Sequence, residues 1–235
     1  GDSVQYLRPM ERTEISELGE FGLIQRMTRE LSHQQPSTLR GVGDDAAVID
    51  PMGKRLVVST DMLCEGVHFD LSYVPLKHLG YKSVVVNLSD ICAMNAMPTQ
   101  VVVGLGLSNR FSVEAVDELY EGIRLACEVY KVDLVGGDTT SSPSGLTLSV
   151  TAMGLAEPDA LVGRNGSGDD DLLVVSGDLG AAYMGLQILE REKSVFQAAP
   201  TAQPELEDFA YLLERQLKPE ARVDVVREIA ELGLK

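Results

Sequence analysis

Four short acidic stretches carry the residue types that hold hard metal ions. They are Gly43-Asp44-Asp45-Ala46, Ser59-Thr60-Asp61, Asn87-Leu88-Ser89-Asp90 and Gly136-Gly137-Asp138-Thr139-Thr140. Each has an ordinary structural role open to it. An Asp pair after glycine is common in turns. Asp61 can cap backbone just outside a strand, and Asp138 can end one. Asp90 is the hardest to explain that way. It follows Val84, Val85, Val86 and Leu88 and precedes Ile91, Cys92 and Met94, so almost every helical face around it is apolar. A buried carboxylate without a partner is strongly disfavoured. Asn87, three residues earlier, is expected on the same helix face. Lys82 lies two turns away, and Arg40 and Lys54 are expected at the surface.

Four cation-poor acidic segments gathered at one place would repel one another, and bound Mg²⁺ relieves that repulsion. Mg²⁺ prefers hard oxygen ligands, and Ser59 and Thr60 add neutral oxygens beside Asp61. No His/Cys cluster suggests zinc. Gly136 and Gly137 allow backbone N–H groups to approach phosphate oxygens. The sequence has no GxxxxGK[ST] loop and none of the protein-kinase motifs, so phosphate charge must be met chiefly by metal. His68 stands near these acids in sequence, with a structural or a ligand-binding role open to it. Arg164, in the glycine-rich run VGRNGSGD, is either solvated or able to grip a phosphate with both guanidinium nitrogens. Gly177-Asp178-Leu179-Gly180, before a helix, is a further candidate anion site.

The composition sets the frame for this chemistry. Lys plus Arg total 20 against 36 Asp plus Glu, a net charge of -16. Such a surface repels polyanions, which argues against nucleic acid as a partner. Any bound nucleotide needs cations to offset the same repulsion. Apolar residues make up 44% and aromatics 5%, with no Trp, so the core is expected to be aliphatic. Cys64, Cys92 and Cys127 are odd in number and far apart, and read as reduced thiols of a cytoplasmic protein. No stretch is long and apolar enough to span a membrane. Residues 1–17 are polar, with no signal-peptide pattern.

Several elements must position the acids. Apolar spacing predicts a helix over 18–33, a loop over 34–41, the stretch GVGDDAAVID (41–50) leading into a short strand, and a strand over 55–63. Extended structure continues at Val67–Phe69. A helix apolar on most sides is predicted over 76–97, with Pro75 at its first turn and Pro98 past its end. A strand over 99–108, a helix from the N-cap Ser112 to about Tyr130, a strand into the Gly136–Gly137 turn, and a strand over 146–156 follow. A connector is expected at 157–171. Beyond it the pattern predicts a strand in DLLVVSGDLG, a helix at 181–192, a loop at 193–204, and helices near 205–217 and 220–232. The mixture of alternating and adjoining strands predicts an α+β or mixed-sheet fold.

Taken in order, GVGDDAAV, VVSTDMLCEGVHF, YKSVVVNLSDICAMNAMP, LVGGDTTSSP and LVGRNGSGD resemble thiamine-monophosphate kinase. That family sits in the superfamily of aminoimidazole ribonucleotide synthetase and selenophosphate synthetase. The resemblance covers roughly residues 18–233. It implies an α+β N-terminal domain with a mixed sheet over residues 1–157, which dimerises through that sheet, followed by an incomplete α/β domain over 158–235. It implies direct in-line transfer of the γ-phosphoryl of ATP to thiamine monophosphate, with several Mg²⁺ ions and no general base. On matching positions, Asp45, Ser59, Thr60, Asp61, Asp90 and Asp138 would be metal ligands. Gly137, Asp138 and Arg164 would contact ATP, and His68 the thiamine phosphate. An IDxSDGL-type motif with a further metal-binding Asp is expected after Lys235, so the chain reads as a C-terminally truncated member. The competing expectations are another ATP-dependent member of the superfamily, of the aminoimidazole ribonucleotide synthetase kind, and a non-catalytic Mg-nucleotide module. Residues 1–38 lack the cysteine that a selenophosphate synthetase would need.

Overall fold

The computed structural model describes residues 12–165, 167–201, 203–204 and 206–233. The polar stretch at 1–11 therefore lies outside the described residues. The first helix, α1, is Ile15–Thr28, broken at Gly19, whose φ of 67° is left-handed. It starts before the predicted 18–33 helix and ends short of it. The expected loop at 34–41 instead contributes the strand β1 (Thr38–Arg40), which pairs antiparallel with β2 (Val48–Ile49).

The remaining strands form one mixed sheet. They are β3 (Arg55–Cys64), β4 (Met97–Leu107), β5 (Asp133–Ser141) and β6 (Leu146–Ala156), in the order β3-β6-β4-β5. β4 and β5 run parallel, while β6 pairs antiparallel with β3 and β4. β3 and β5 are the edges. One face of the sheet carries the core. There Val101, Val103 and Leu105 of β4 and Leu146, Leu148, Val150 and Ala152 of β6 are buried with helices α2 (Leu76–Ala93) and α3 (Val113–Tyr130). The other face carries Thr147, Ser149, Thr151, Gly104 and Gly106, which are only half-buried.

The two helices cross at glycines. A Cβ on Gly80 would sit 2.0 Å from the Leu119 carbonyl oxygen, and one on Gly122 would sit 1.9 Å from that of Lys77. Only glycine permits so close a backbone approach. Ser112 caps α3 as predicted, accepting from the Ala115 amide at 3.2 Å.

Helix α2 stops at Ala93, four residues before the predicted 97. Met94 and Asn95 turn the chain, Asn95 at φ 56°, and Ala96 N–H donates back to the Ile91 carbonyl. Met97 and Pro98 then open β4, where the ladder shifts register between Pro98 and Gln100. A strand start or bulge tolerates a proline that has no N–H to pair.

After β6 come α4 (Ala181–Ala198), α5 (Ala210–Leu217), preceded by one 3₁₀ turn, and α6 (Val223–Glu231). The strand expected in DLLVVSGDLG is absent. Leu172 and Leu173 are 89% and 96% exposed and make no ladder. The apolar run reads as a strand, but no neighbouring strand among the described residues supplies the hydrogen bonds one needs. The helices dock on α2 and α3 through polar ties. Tyr81 Oη donates to Glu220 Oε2 at 2.7 Å, Lys82 Nζ donates to the Gln216 carbonyl at 2.8 Å, and Tyr130 Oη accepts from the Ala221 amide at 2.8 Å. Lys193 pairs with Asp70 in the turn before α2.

Candidate functional site

Strand β3 carries three of the predicted ligands, and the pleat sends them to opposite sides. Successive side chains alternate between faces. Val57, Ser59 and Leu63 are half-buried toward the helices, and Asp61 shares their parity. Thr60 shares that of Leu56, Val58 and Met62, which are exposed. Hydrogen bonds agree with the alternation. Ser59 Oγ donates to Asp90 Oδ2 on α2 at 2.9 Å. Thr60 faces away, where it accepts from Thr151 Oγ1 at 2.9 Å and donates to the Val150 carbonyl at 3.1 Å.

Asp90 departs from expectation. It is exposed, in the last turn of α2, and faces the β3 edge rather than the core. The buried polar side chains of that helix are Ser83 and Asn87; Asn87 is 1% exposed, its Nδ2 donates to the Ser83 carbonyl at 2.9 Å and its Oδ1 has no partner among the described residues. The apolar run around Asp90 therefore hid the surface position of a helix end. The deeply buried carboxylate is Asp133, which opens β5. It accepts from the Gln34 and Gln35 amides and from Thr38 Oγ1, at 2.6, 3.0 and 2.6 Å. Three donors satisfy it without metal.

Asp45 and Asp138 share a cavity of about 630 Å³ on the open side of the sheet, which they line with Gly137, Thr139, Ser149 and Thr151. Phe21, Ile24 and Met27 of α1 form its apolar end. Gly104 and Asp138 are ladder partners, which puts Asp138 on the same side as Ser149 and Thr151. Asp44 Oδ2 is held by Arg40, leaving Asp45 unpaired among the described residues. At Gly137 a Cβ would sit 2.1 Å from the Val103 carbonyl oxygen, so this strand segment admits only glycine.

The six predicted ligands thus divide between the two faces of the sheet. Ser59, Asp61 and Asp90 lie on the helix side. Asp45, Asp138 and Thr60, through Thr151, lie on the open side. Among the described residues, no three Asp, Glu, His or Cys side chains stand close enough to hold one ion together. Ser149 and Thr151 were missed by sequence reasoning. Their alternation with Leu148, Val150 and Ala152 was the available signal.

His68 sits apart from both groups. It is exposed in the turn after β3, and its Nδ1 accepts from the Cys64 amide at 3.0 Å. It borders a small pocket with Tyr73 and Lys82. Burial lowers the pKa of the Lys82 ammonium. Arg164 is exposed in the connector and does not line the cavity of Asp45 and Asp138. The connector is tied to the end of α2, since Asn95 Nδ2 donates to the Ala160 carbonyl and Val162 N–H to that of Met94. Asp178 of the further candidate anion site accepts from Tyr211 and approaches Arg215 at 3.7 Å, so a protein cation already faces it.

Residues 43–156 match the family described as AIR synthase related protein, N-terminal domain. The thiamine-monophosphate kinase of Aquifex aeolicus is 36% identical over 215 residues, which are 92% of this chain and 64% of that protein. A solved structure described as AaThiL complexed with AMPPCP and TMP matches with a TM-score of 0.67 at 34% identity, over 96% of this chain and 65% of that one. The thiamine-monophosphate kinase from Stenotrophomonas maltophilia matches with a TM-score of 0.72 at 33% identity, over 88% and 62%. The chain spans less than two thirds of the length of each of these relatives.

Proposed function

The chain carries the AIR synthase related N-terminal domain at residues 43–156 and is a relative of the thiamine-monophosphate kinases, and on that footing we propose that its protein transfers the γ-phosphoryl of ATP to thiamine monophosphate, giving thiamine diphosphate and ADP. The observation that carries this reading is the cavity shared by Asp45 and Asp138, which come from distant segments and stand beside a backbone that only glycine can form. The donors fit Mg²⁺. They are carboxylates and hydroxyls, without His or Cys. Their division into two groups suits several ions rather than one, with phosphate oxygens and water completing each coordination shell. Bound Mg²⁺ would neutralise the charge that develops on the transferred phosphoryl group.

In this reading the residues themselves position and screen. Asp45, Asp138 and Thr60 serve the open face of the sheet, and Ser59, Asp61 and Asp90 its helix face. Ser59 holds the Asp90 carboxylate in place. Gly137 lets backbone amides come close to phosphate oxygens. Arg164 contacts ATP from the connector. His68 accepts at Nδ1 from the Cys64 amide, which leaves Nε2–H free to donate to the thiamine phosphate. No general base is needed, because the attacking atom is already an anionic phosphate oxygen, and transfer is direct and in line. The division between an N-terminal domain ending at residue 157 and a second domain from 158 belongs to the same proposal. So does a homodimer formed through the sheet, supported by exposed Leu56, Val58 and Met62 on the edge strand β3. So does a cytoplasmic location, supported by three free cysteines.

The test is ADP release by the full-length protein with Mg²⁺, ATP and a panel of acceptors. Release should depend on thiamine monophosphate, and Asp45→Asn or Asp138→Asn should each lower kcat/KM by about 100-fold or more. Equal release with every acceptor would overturn the assignment.

A further inference from the structure

Asp45 reaches its cavity on a hairpin that is not part of the main sheet. Strands β1 and β2 pair only with each other, and residues 41–47 join them. Among the described residues, no backbone hydrogen bond links residues 34–50 to the four-stranded sheet that carries Asp138. Side chains make the attachment instead. We propose that Asp133 and Gln100 are positioning residues for the Asp45 loop: a buried chain of hydrogen bonds, running from the main sheet through Thr38, fixes where that loop stands relative to Asp138. The inference rests on the reading of Asp45 as a metal ligand and adds what places it.

The geometry is specific. Asp133 and Gln100 are ladder partners on β5 and β4, and both are buried. The Asp133 carboxylate accepts from the Gln34 amide on one oxygen and from the Gln35 amide and Thr38 Oγ1 on the other. Gln100 Nε2 donates to Thr38 Oγ1 at 2.8 Å and to Ser37 Oγ at 2.7 Å. The direction of this chain is forced. An ionised carboxylate only accepts, so the Thr38 hydroxyl gives its one proton to Asp133, and its lone pairs then face the amide hydrogens of Gln100. Ser37 is buried too, and its carbonyl accepts from the Asp50 amide at 2.8 Å, while Thr38 is the ladder partner of Ile49. Both arms of the hairpin are therefore held at one point, and residues 41–47 project from it. Asp133 opens β5 and Asp138 lies further along the same strand, so one strand carries one acid of the cavity and anchors the loop that brings the other. An apolar pair at these positions would join the segments at least as strongly, since buried charge is costly to desolvate. What the polar pair adds is a fixed direction and distance.

The competing role for Asp133 is to stabilise the 34–38 turn and nothing more. Thr38→Val removes the middle of the chain and keeps a β-branched side chain suited to a strand, and Thr38→Ser restores the hydroxyl. In the metal-free, full-length protein, Thr38→Val and Asp133→Asn should raise hydrogen exchange in residues 41–47 by about fivefold or more and leave β6 within about twofold. In titration calorimetry both should weaken Mg-ATP by about tenfold, the factor that matches one lost hydrogen bond to a charged group. Thr38→Ser should bind within about twofold of the unaltered protein. In an Asp45→Asn background, Thr38→Val should change affinity by less than about twofold, because placing a loop that has lost its ligand gains nothing. Equal losses with and without Asp45, exchange that rises as much in β6, or a Thr38→Ser protein as weak as Thr38→Val would overturn the proposal and leave Asp133 a structural group. If Asp45→Asn by itself leaves Mg-ATP affinity unchanged, the metal reading of Asp45 fails, and this placement with it. Should Asp133→Asn not fold, the two Thr38 variants decide alone.

Discussion

Gly137→Ala tests whether the β5 backbone is shaped by contact rather than by chance. The new Cβ would lie 2.1 Å from the Val103 carbonyl oxygen, 3.0 Å from its carbon and 3.3 Å from its nitrogen. Carbon and carbonyl oxygen need about 3.3 Å even in a favourable contact, so the strands must part by roughly 1.2 Å. Val103 and Gly137 are ladder partners, and the obstacle is backbone, which no rotamer change can clear. Overpacking costs ~1–3 kcal/mol, and a rigid obstacle places this case near the upper value. For a chain of this size about 3 kcal/mol lowers Tm by roughly 6–12 °C. Gly136→Ala is the matched control. Its nearest neighbour is Val102 Cγ1 at 3.4 Å, an ordinary contact. That change should alter stability by less than about 1 kcal/mol in either direction. Thermal and urea unfolding followed by circular dichroism provide the assay. A Gly137→Ala protein that melts with the unaltered one, or a Gly136→Ala protein that falls as far, would refute the reasoning.

Two further outcomes are expected. Asp90→Asn should leave stability within about 0.5 kcal/mol, because the position is exposed and Asn Oδ1 can still accept from Ser59. The same change should weaken Mg²⁺-dependent ATP binding by about tenfold or more; unchanged affinity would reduce Asp90 to an acceptor for Ser59. At low pH the link between α4 and the turn before α2 should loosen. Hydrogen bonds from Lys193 and Ser72 hold the Asp70 carboxyl at about 2, below its ordinary 3.8. A depressed carboxyl stabilises the fold above its unfolded pKa and stops doing so as pH falls through the folded one. The stability difference between the unaltered protein and Asp70→Asn should therefore be constant above about pH 5 and shrink between about pH 4 and 2. A difference that does not vary with pH over that range would sink the assignment.

Much of the fold was legible because periodicity is local. The alternation in residues 146–156 and the helical spacing after Ser112 place strand and helix without knowledge of any partner. The same reasoning failed at Leu172–Val175. Apolar character marks strand propensity, but a strand exists only where another strand accepts its hydrogen bonds. It also failed at Asp90, because composition shows that a helix is apolar and not where the last turn emerges from its neighbours. The acids, the glycines and their chemistry could be read from residue types. How they are grouped could not. Ser59, Thr60 and Asp61 are adjacent in sequence, yet the pleat sends the middle one to the other side of the sheet. Asp45 and Asp138 share one cavity only because β5 pairs parallel with β4 and the 43–47 loop lies at the open face. Residue chemistry is carried by the chain itself, whereas proximity between distant segments arises from strand order and register, and these are settled only when the whole sheet packs against α2 and α3.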